Sequence, residues 1–263
     1  MCVWLCAHRH NAAVQAAGYR VLRALGPEPY GVASPGRAKA AAAGGLQAVI
    51  AGMRIHLEDA QVQEAGCGAL WYLARTPAVA AAAVPGALEA VVAALRVHAT
   101  HAGVNEAGCG ALRNLMMEER NKLLASSSGA LEVIIAALRV HVRHAGVLEQ
   151  AAGALVNAAA SGPTAVQAVS DGALEALLAG LSAGARTPAV CLPACVALYN
   201  LTYNWPDAQR RARGAGAASV LRELLTLYEH DTCETIALLC DAVRRALHKV
   251  ELREPTREER GAG

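Results

Sequence analysis

The segment GALEAVVAALRVHATHAGVNEAGCGALRNL, starting at Gly86, returns at Gly129 as GALEVIIAALRVHVRHAGVLEQAAGALVNA, with 19 positions identical. Shorter echoes start at Gly44 (GGLQAVIAGM), Gly172 (GALEALLAGL) and Gly216 (GAASVLRELL), so the starts lie 42, 43, 43 and 44 residues apart. Val62, Val104, Val147 and Val190 each follow the leading Gly by 18 residues. A period of this length restricts the chain to architectures in which one supersecondary unit is stacked on the next. The units are 44–85, 86–128, 129–171 and 172–215, with 216–250 a degenerate C-terminal repeat.

Each unit carries helical periodicity twice. Leu88, Val91, Val92 and Leu95 fall at i, i+3, i+4 and i+7, one apolar stripe of a helix. Leu131, Ile134, Ile135 and Leu138 repeat it. In the second half, Val104, Gly108, Ala111, Leu112 and Leu115 form another stripe, matched by Val62, Gly66, Ala69, Leu70 and Leu73. A short third segment precedes each leading Gly. Ser128 and Asp171 stand just before Gly129 and Gly172, where N-cap residues are expected. Composition agrees with this reading. The chain is 54% hydrophobic and 17% charged and has no Phe, so Ala, Leu, Val and Ile fill thin layers of helix. One unit cannot bury both stripes, but stacked units can, which defines an all-α solenoid. Glycines 66, 68, 108 and 110 fall mid-helix, where each costs up to about 1 kcal/mol against Ala. Their recurrence predicts a close contact that excludes a β-carbon.

The sequence G-A-L, an apolar stripe, V-x-E-x-G-C-G-A-L-x-N-L, and N-K-x-L before the next G-A resembles the armadillo repeat over nearly the whole chain. The resemblance implies three helices per repeat, a right-handed superhelix and a concave groove lined by the third helices. It also implies a non-catalytic protein–protein interaction scaffold or adaptor that binds an extended peptide or a helix. The alternative it leaves open is a regulatory armadillo region of a larger enzyme, such as a kinase or a ubiquitin-ligase component.

Both ends depart from the pattern. Val14, Gly18, Leu22 and Leu25 align with Val62, Gly66, Leu70 and Leu73, so 1–26 reads as a partial N-terminal repeat. Trp4 and Leu5 at its edge are expected to be exposed apolar residues. Residues 27–43 are a Pro/Gly-rich insertion, and 251–263 form a polar tail expected to be disordered.

One column of the third helices stands out. Asn114, Asn157 and Asn200 recur every 43 residues, with Tyr72 in the same column one unit earlier. Asn is poorly suited to a helix interior. Its amide can bond the main chain of an extended peptide, and the resemblance implies that use; the alternative is a bond to the neighbouring helix. Armadillo proteins that bind nuclear-localisation signals place a Trp one turn earlier. Here Gly68, Gly110, Gly153 and Val196 hold that position, so no Trp ladder forms. The other residues predicted to face the groove are Trp71, Arg75, Arg113, Met117, Tyr199 and Tyr203, with Arg20 and Arg23 at the N-terminal end. Trp, Tyr and Arg are common interface anchors, and the four arginines favour an acidic stretch of partner.

His8, His56, His98 and His141 form a column six residues before the aligned Val, and His101 and His144 complete H-x-x-H pairs. These pairs are spread along the rod and do not converge on one ion. They suit a helix C-terminus, where imidazole meets free carbonyls, so no metal and no cofactor are expected. Cys67, Cys109 and Cys195 share one repeat column, as small packing residues do. Catalytic triads, phosphate-cradling glycine loops and paired carboxylates are not discernible, which argues against an enzyme and a small-molecule substrate. A net charge of +2 makes no demand for nucleic acid. The uncharged stretch 187–206 is broken by prolines, so no membrane span is expected. Eight cysteines without a secretory leader fit the cytoplasm, or the nucleus.

Overall fold

In a computed structural model of the chain, the described residues are 2–24, 35–75, 84–183, 186–228 and 234–251. They form sixteen α-helices and, among the described residues, no strand. The first five are α1 (Cys2–Ala7), α2 (Ala12–Arg23), α3 (Pro35–Ala42), α4 (Gly45–Ile55) and α5 (Ala60–Leu73). Then follow α6 (Val84–Val97), α7 (Ala102–Leu115), α8 (Glu119–Ser128), α9 (Ala130–Val140), α10 (Ala145–Ala158) and α11 (Gly162–Ser170). The last five are α12 (Ala173–Ser182), α13 (Pro188–Thr202), α14 (Pro206–Gly214), α15 (Ala217–Tyr228) and α16 (Glu234–Glu251).

The apolar stripes become the core. Leu88, Val91, Val92 and Leu95 of α6 are buried, as are Leu131, Ile134, Ile135 and Leu138 of α9. Val104, Leu112 and Leu115 of α7 are buried against them. Each such Leu or Val contributes roughly 1.5–3 kcal/mol. The helices α2, α5, α7, α10, α13 and α16 pack on one another in that order and form the spine of the solenoid. No single helix is long and apolar enough to cross a membrane among the described residues.

The repeat junction differs from the sequence expectation. Ser128 and Asp171 do not cap the helices that follow them. The N-caps of α9 and α12 are Gly129 and Gly172, with φ of 80° and 93°, and neither makes a side-chain cap bond. Gly129 also ends α8, its N–H donating to the Ala125 carbonyl. A left-handed residue is needed there to turn one helix directly into the next, and Gly adopts that φ without the β-carbon penalty. Side-chain caps instead start the third helices. Asn11, Asp59, His101 and His144 each accept the N–H of the residue three positions on, which is the aligned Val.

At the N-terminal edge Leu5 is buried, filling the space over Gly18, rather than exposed as expected. Val3 and Trp4 are exposed, and Trp4 packs edge-on against His8. Within the predicted insertion, residues 35–42 form α3; residues 27–34, Leu25 and the tail from 252 lie outside the described residues.

Candidate functional site

The spine helices present one face to a groove of about 750 Å³. Its N-terminal wall is Arg20 and Arg23 of α2, and its floor is Gly68, Trp71 and Tyr72 of α5. Arg113 and Asn114 of α7 follow, then Glu149 and Gln150 of α10, with Arg75 at the end of α5. Seven of the twelve sequence candidates therefore line one cleft across four successive third helices. Tyr199 and Asn200 line a second cleft of about 360 Å³ between α13 and α16, beside Leu238 and Arg245. Met117, Asn157 and Tyr203 line neither cleft. Tyr203 packs against Tyr199 at 5.5 Å between ring centroids and lies beneath the Lys249 ammonium.

The groove surface is built by a relay between units. Arg23, Trp71 and Arg113 occupy equivalent positions of three successive repeats, and each lies over a glycine of the next. A β-carbon on Gly110 would stand 2.5 Å from Trp71 Cδ2, and one on Gly153 would stand 2.7 Å from Arg113 Nε. On Gly68 it would meet Arg23 Cδ at 3.3 Å. The close contact predicted from the mid-helix glycines is thus made by a large side chain of the preceding unit. The glycines of the other column, Gly66 and Gly108, instead receive Met53 and Leu95 from the second helix of their own unit. The Arg23 guanidinium lies 6.0 Å from the Trp71 ring centroid, at the outer limit of a cation–π contact.

The asparagine column does not form the expected groove-facing ladder at Asn114. That residue is buried, and its Nδ2 donates to the Trp71 carbonyl at 2.8 Å. Asn157, half-buried, donates to the Arg113 carbonyl at 2.7 Å. Both acceptors lie in the last turn of a third helix, where four carbonyls lack intrahelical partners. The amide supplies the missing donor, the alternative the sequence left open. Asn200 is half-buried, and its side chain has no hydrogen-bond partner among the described residues.

Sequence reasoning missed a second amide column. Gln15, Gln63 and Asn105 directly follow the aligned valines and are buried. Gln63 Nε2 donates to the Met53 and His56 carbonyls, and Gln15 to those of Leu5 and His8. Asn105 reaches the His98 carbonyl at 2.9 Å. A polar residue at fixed offset inside an apolar helix was the available signal.

The histidines also have structural partners. His56, His98 and His141 place Nε2 at 2.9, 2.7 and 2.9 Å from the carbonyls of Arg9, Leu57 and Ala99. A carbonyl only accepts, so Nε2 carries the proton. The free carbonyls expected around these residues belong to the inter-helix turn one repeat earlier. Among the described residues, no group of three or more His, Cys, Asp and Glu is placed to hold a metal ion. The cysteines of the repeat column are fully buried. Burial pushes the Cys109 thiol up to about 12 and raises Cys67 and Cys195 as well.

Comparison with solved structures agrees with this architecture. The chain is similar to an engineered protein at 25% identity, with a TM-score of 0.75, covering 92% of this chain and 93% of that one. It is similar to a designed armadillo repeat protein at 18% identity and TM-score 0.73, covering 92% and 95%. It also superposes, at 16% identity and TM-score 0.70, on a structure concerning the phosphorylation switch that controls the interaction between cadherin and β-catenin. That match covers 95% of this chain and 52% of the other. No family model and no curated protein sequence matches the chain. The fold is therefore an armadillo-type α-solenoid.

Proposed function

We propose that this chain is a non-catalytic scaffold or adaptor that holds an extended segment of another protein against its third helices. One observation carries the reading: four successive repeats contribute to a single cleft whose floor is the half-buried Trp71 and whose walls are arginines. Aromatic and Arg side chains held in place by packing are well suited to anchor a partner. No nucleic acid, lipid surface, cofactor or small-molecule substrate enters the proposal. The six cysteines whose side chains are described carry free thiols, which supports placing the protein in the reducing cytoplasm or nucleus.

A random peptide library panned on the immobilised protein tests this. Selected peptides should compete with one another and lose roughly tenfold or more in affinity for Trp71→Ala, about the cost of one anchor. Tyr199→Ala, outside the cleft, controls for general damage. Peptides that bind Trp71→Ala and the parent protein alike would remove the cleft from the function.

A further inference from the structure

Three groove arginines, Arg20, Arg23 and Arg113, differ from the paired arginines elsewhere on the rod. Arg54 pairs with Glu89, Arg96 with Glu132, Arg211 with Glu175, Arg186 with Glu223 and Arg222 with Glu251. Four of the pairs join different helices, the fifth joins Arg186, just before α13, to α15, and most of the members are well exposed. Among the described residues, Arg20, Arg23 and Arg113 form no ion pair. Arg113 Nη1 donates only to the neutral Gln150 amide oxygen, at 3.3 Å. Arg9, Arg120, Arg139, Arg143 and Arg244 likewise form no ion pair among the described residues, but they line neither of the clefts described. Arg20, Arg23 and Arg113 converge with Arg75 on one cleft, beside an indole, and its lining includes a single carboxylate, Glu149. In a chain of net charge +2 this is a local concentration of positive charge, and among the described residues no carboxylate pairs with Arg20, Arg23 or Arg113.

We propose that the cleft is specific for an acidic extended peptide, with carboxylates on Arg23 and Arg113 and an apolar side chain between them on Trp71. The proposal rests on the peptide-groove reading and narrows it. Guanidinium groups hold carboxylates by charge-assisted, often bidentate bonds. The three anchors sit at one repeat position in α2, α5 and α7, so the repeat sets their spacing. Packed helices lie about 8–10 Å apart, and an extended chain advances roughly 3.3 Å per residue. One repeat therefore spans about two to three peptide residues, and the two carboxylates fall about five residues apart. Arg20, one turn before Arg23 on the same helix, extends the acid-binding end.

Fluorescence anisotropy with three labelled dodecapeptides tests the specificity. The first has an Asp-Glu pair on either side of a central Leu. The second has Asn-Gln in their place and the third Lys-Lys. The acidic peptide should bind at least about tenfold tighter than the neutral one, and its affinity should fall as salt rises. The Arg20→Glu/Arg23→Glu protein should lose the acidic peptide and gain the lysine peptide. That inversion would not follow from damaged packing, and a thermal melt checks that the exposed substitutions leave the fold intact. Neutral and acidic peptides binding alike would overturn the acidic specificity while leaving the peptide groove standing. If no peptide binds, and library panning is also barren, both readings fail. Tighter capture of single-stranded RNA than of the acidic peptide would overturn the proposal in favour of a nucleic-acid partner.

Discussion

The indole of Trp71 lies directly on Gly110, one repeat further along, with ring carbon Cδ2 where a β-carbon at 110 would have to go. Gly110→Ala sets two effects in opposition. Replacing a mid-helix Gly with Ala favours the helix by up to about 1 kcal/mol, while overpacking against a ring typically costs about 1–3 kcal/mol. The ring has less freedom to retreat than a flexible chain, so net destabilisation of roughly 1 kcal/mol is expected. Gly68→Ala meets the mobile Arg23 stem at 3.3 Å and should be neutral or mildly stabilising. Urea unfolding of both variants checks the order, and equal effects would contradict it.

Asn114→Ala removes the donor to the Trp71 carbonyl inside the protein, leaving a buried acceptor unsatisfied. The expected loss is about 1–3 kcal/mol. Asn157→Ala should cost less, because that residue is half-exposed, and Asn200→Ala least of all. A denaturation series in which Asn200→Ala is the most damaging would show that the column does not act through inter-repeat bonds.

Thiol labelling separates the cysteines by environment. Cys6 is exposed, whereas Cys67, Cys109, Cys191, Cys195 and Cys240 are buried. Burial also holds Cys191 in its thiol form, raised to about 11, and Cys109 to about 12. At pH 8 neither supplies appreciable thiolate, the reactive form. Iodoacetamide on the native protein should modify Cys6 and spare those five, with all reacting in urea; site-resolved mass spectrometry reads the result.

The histidine columns make a prediction about metal and one about capping. His98→Ala removes a bond to the Leu57 carbonyl and should cost about 0.5–1.5 kcal/mol. His144→Ala removes the cap on Val147 and should cost about 1 kcal/mol, whereas His144→Asn, a better cap, should restore it. Zinc and a chelator should leave Tm unchanged in each case. A zinc-dependent rise in Tm that vanishes in the His98→Ala protein would assign these residues a ligand role.

The period, the stripes and the cleft arginines were legible because they are side-chain patterns repeated at a fixed interval. Arg23, Trp71 and Arg113 were found by aligning units, and the structure brings them to one cleft. The fate of Asn114 was not legible. Its acceptor is a main-chain oxygen 43 residues earlier, and main-chain atoms carry no sequence signal. The same holds for His98 and the Leu57 carbonyl. The glycine column announced a tight contact, but only coordinates identify the occupant as an indole or a guanidinium.

The bonds from Asn157 to Arg113 and from His141 to Ala99 each reach back one unit and no further. Communication along the rod is accordingly nearest-neighbour. Deleting or duplicating a whole unit disturbs a single junction, so evolution or engineering can lengthen the molecule without redesigning it. A unit gained or lost between α2 and α7 also moves Arg23 relative to Arg113, and with it the size of the partner that the protein can grip.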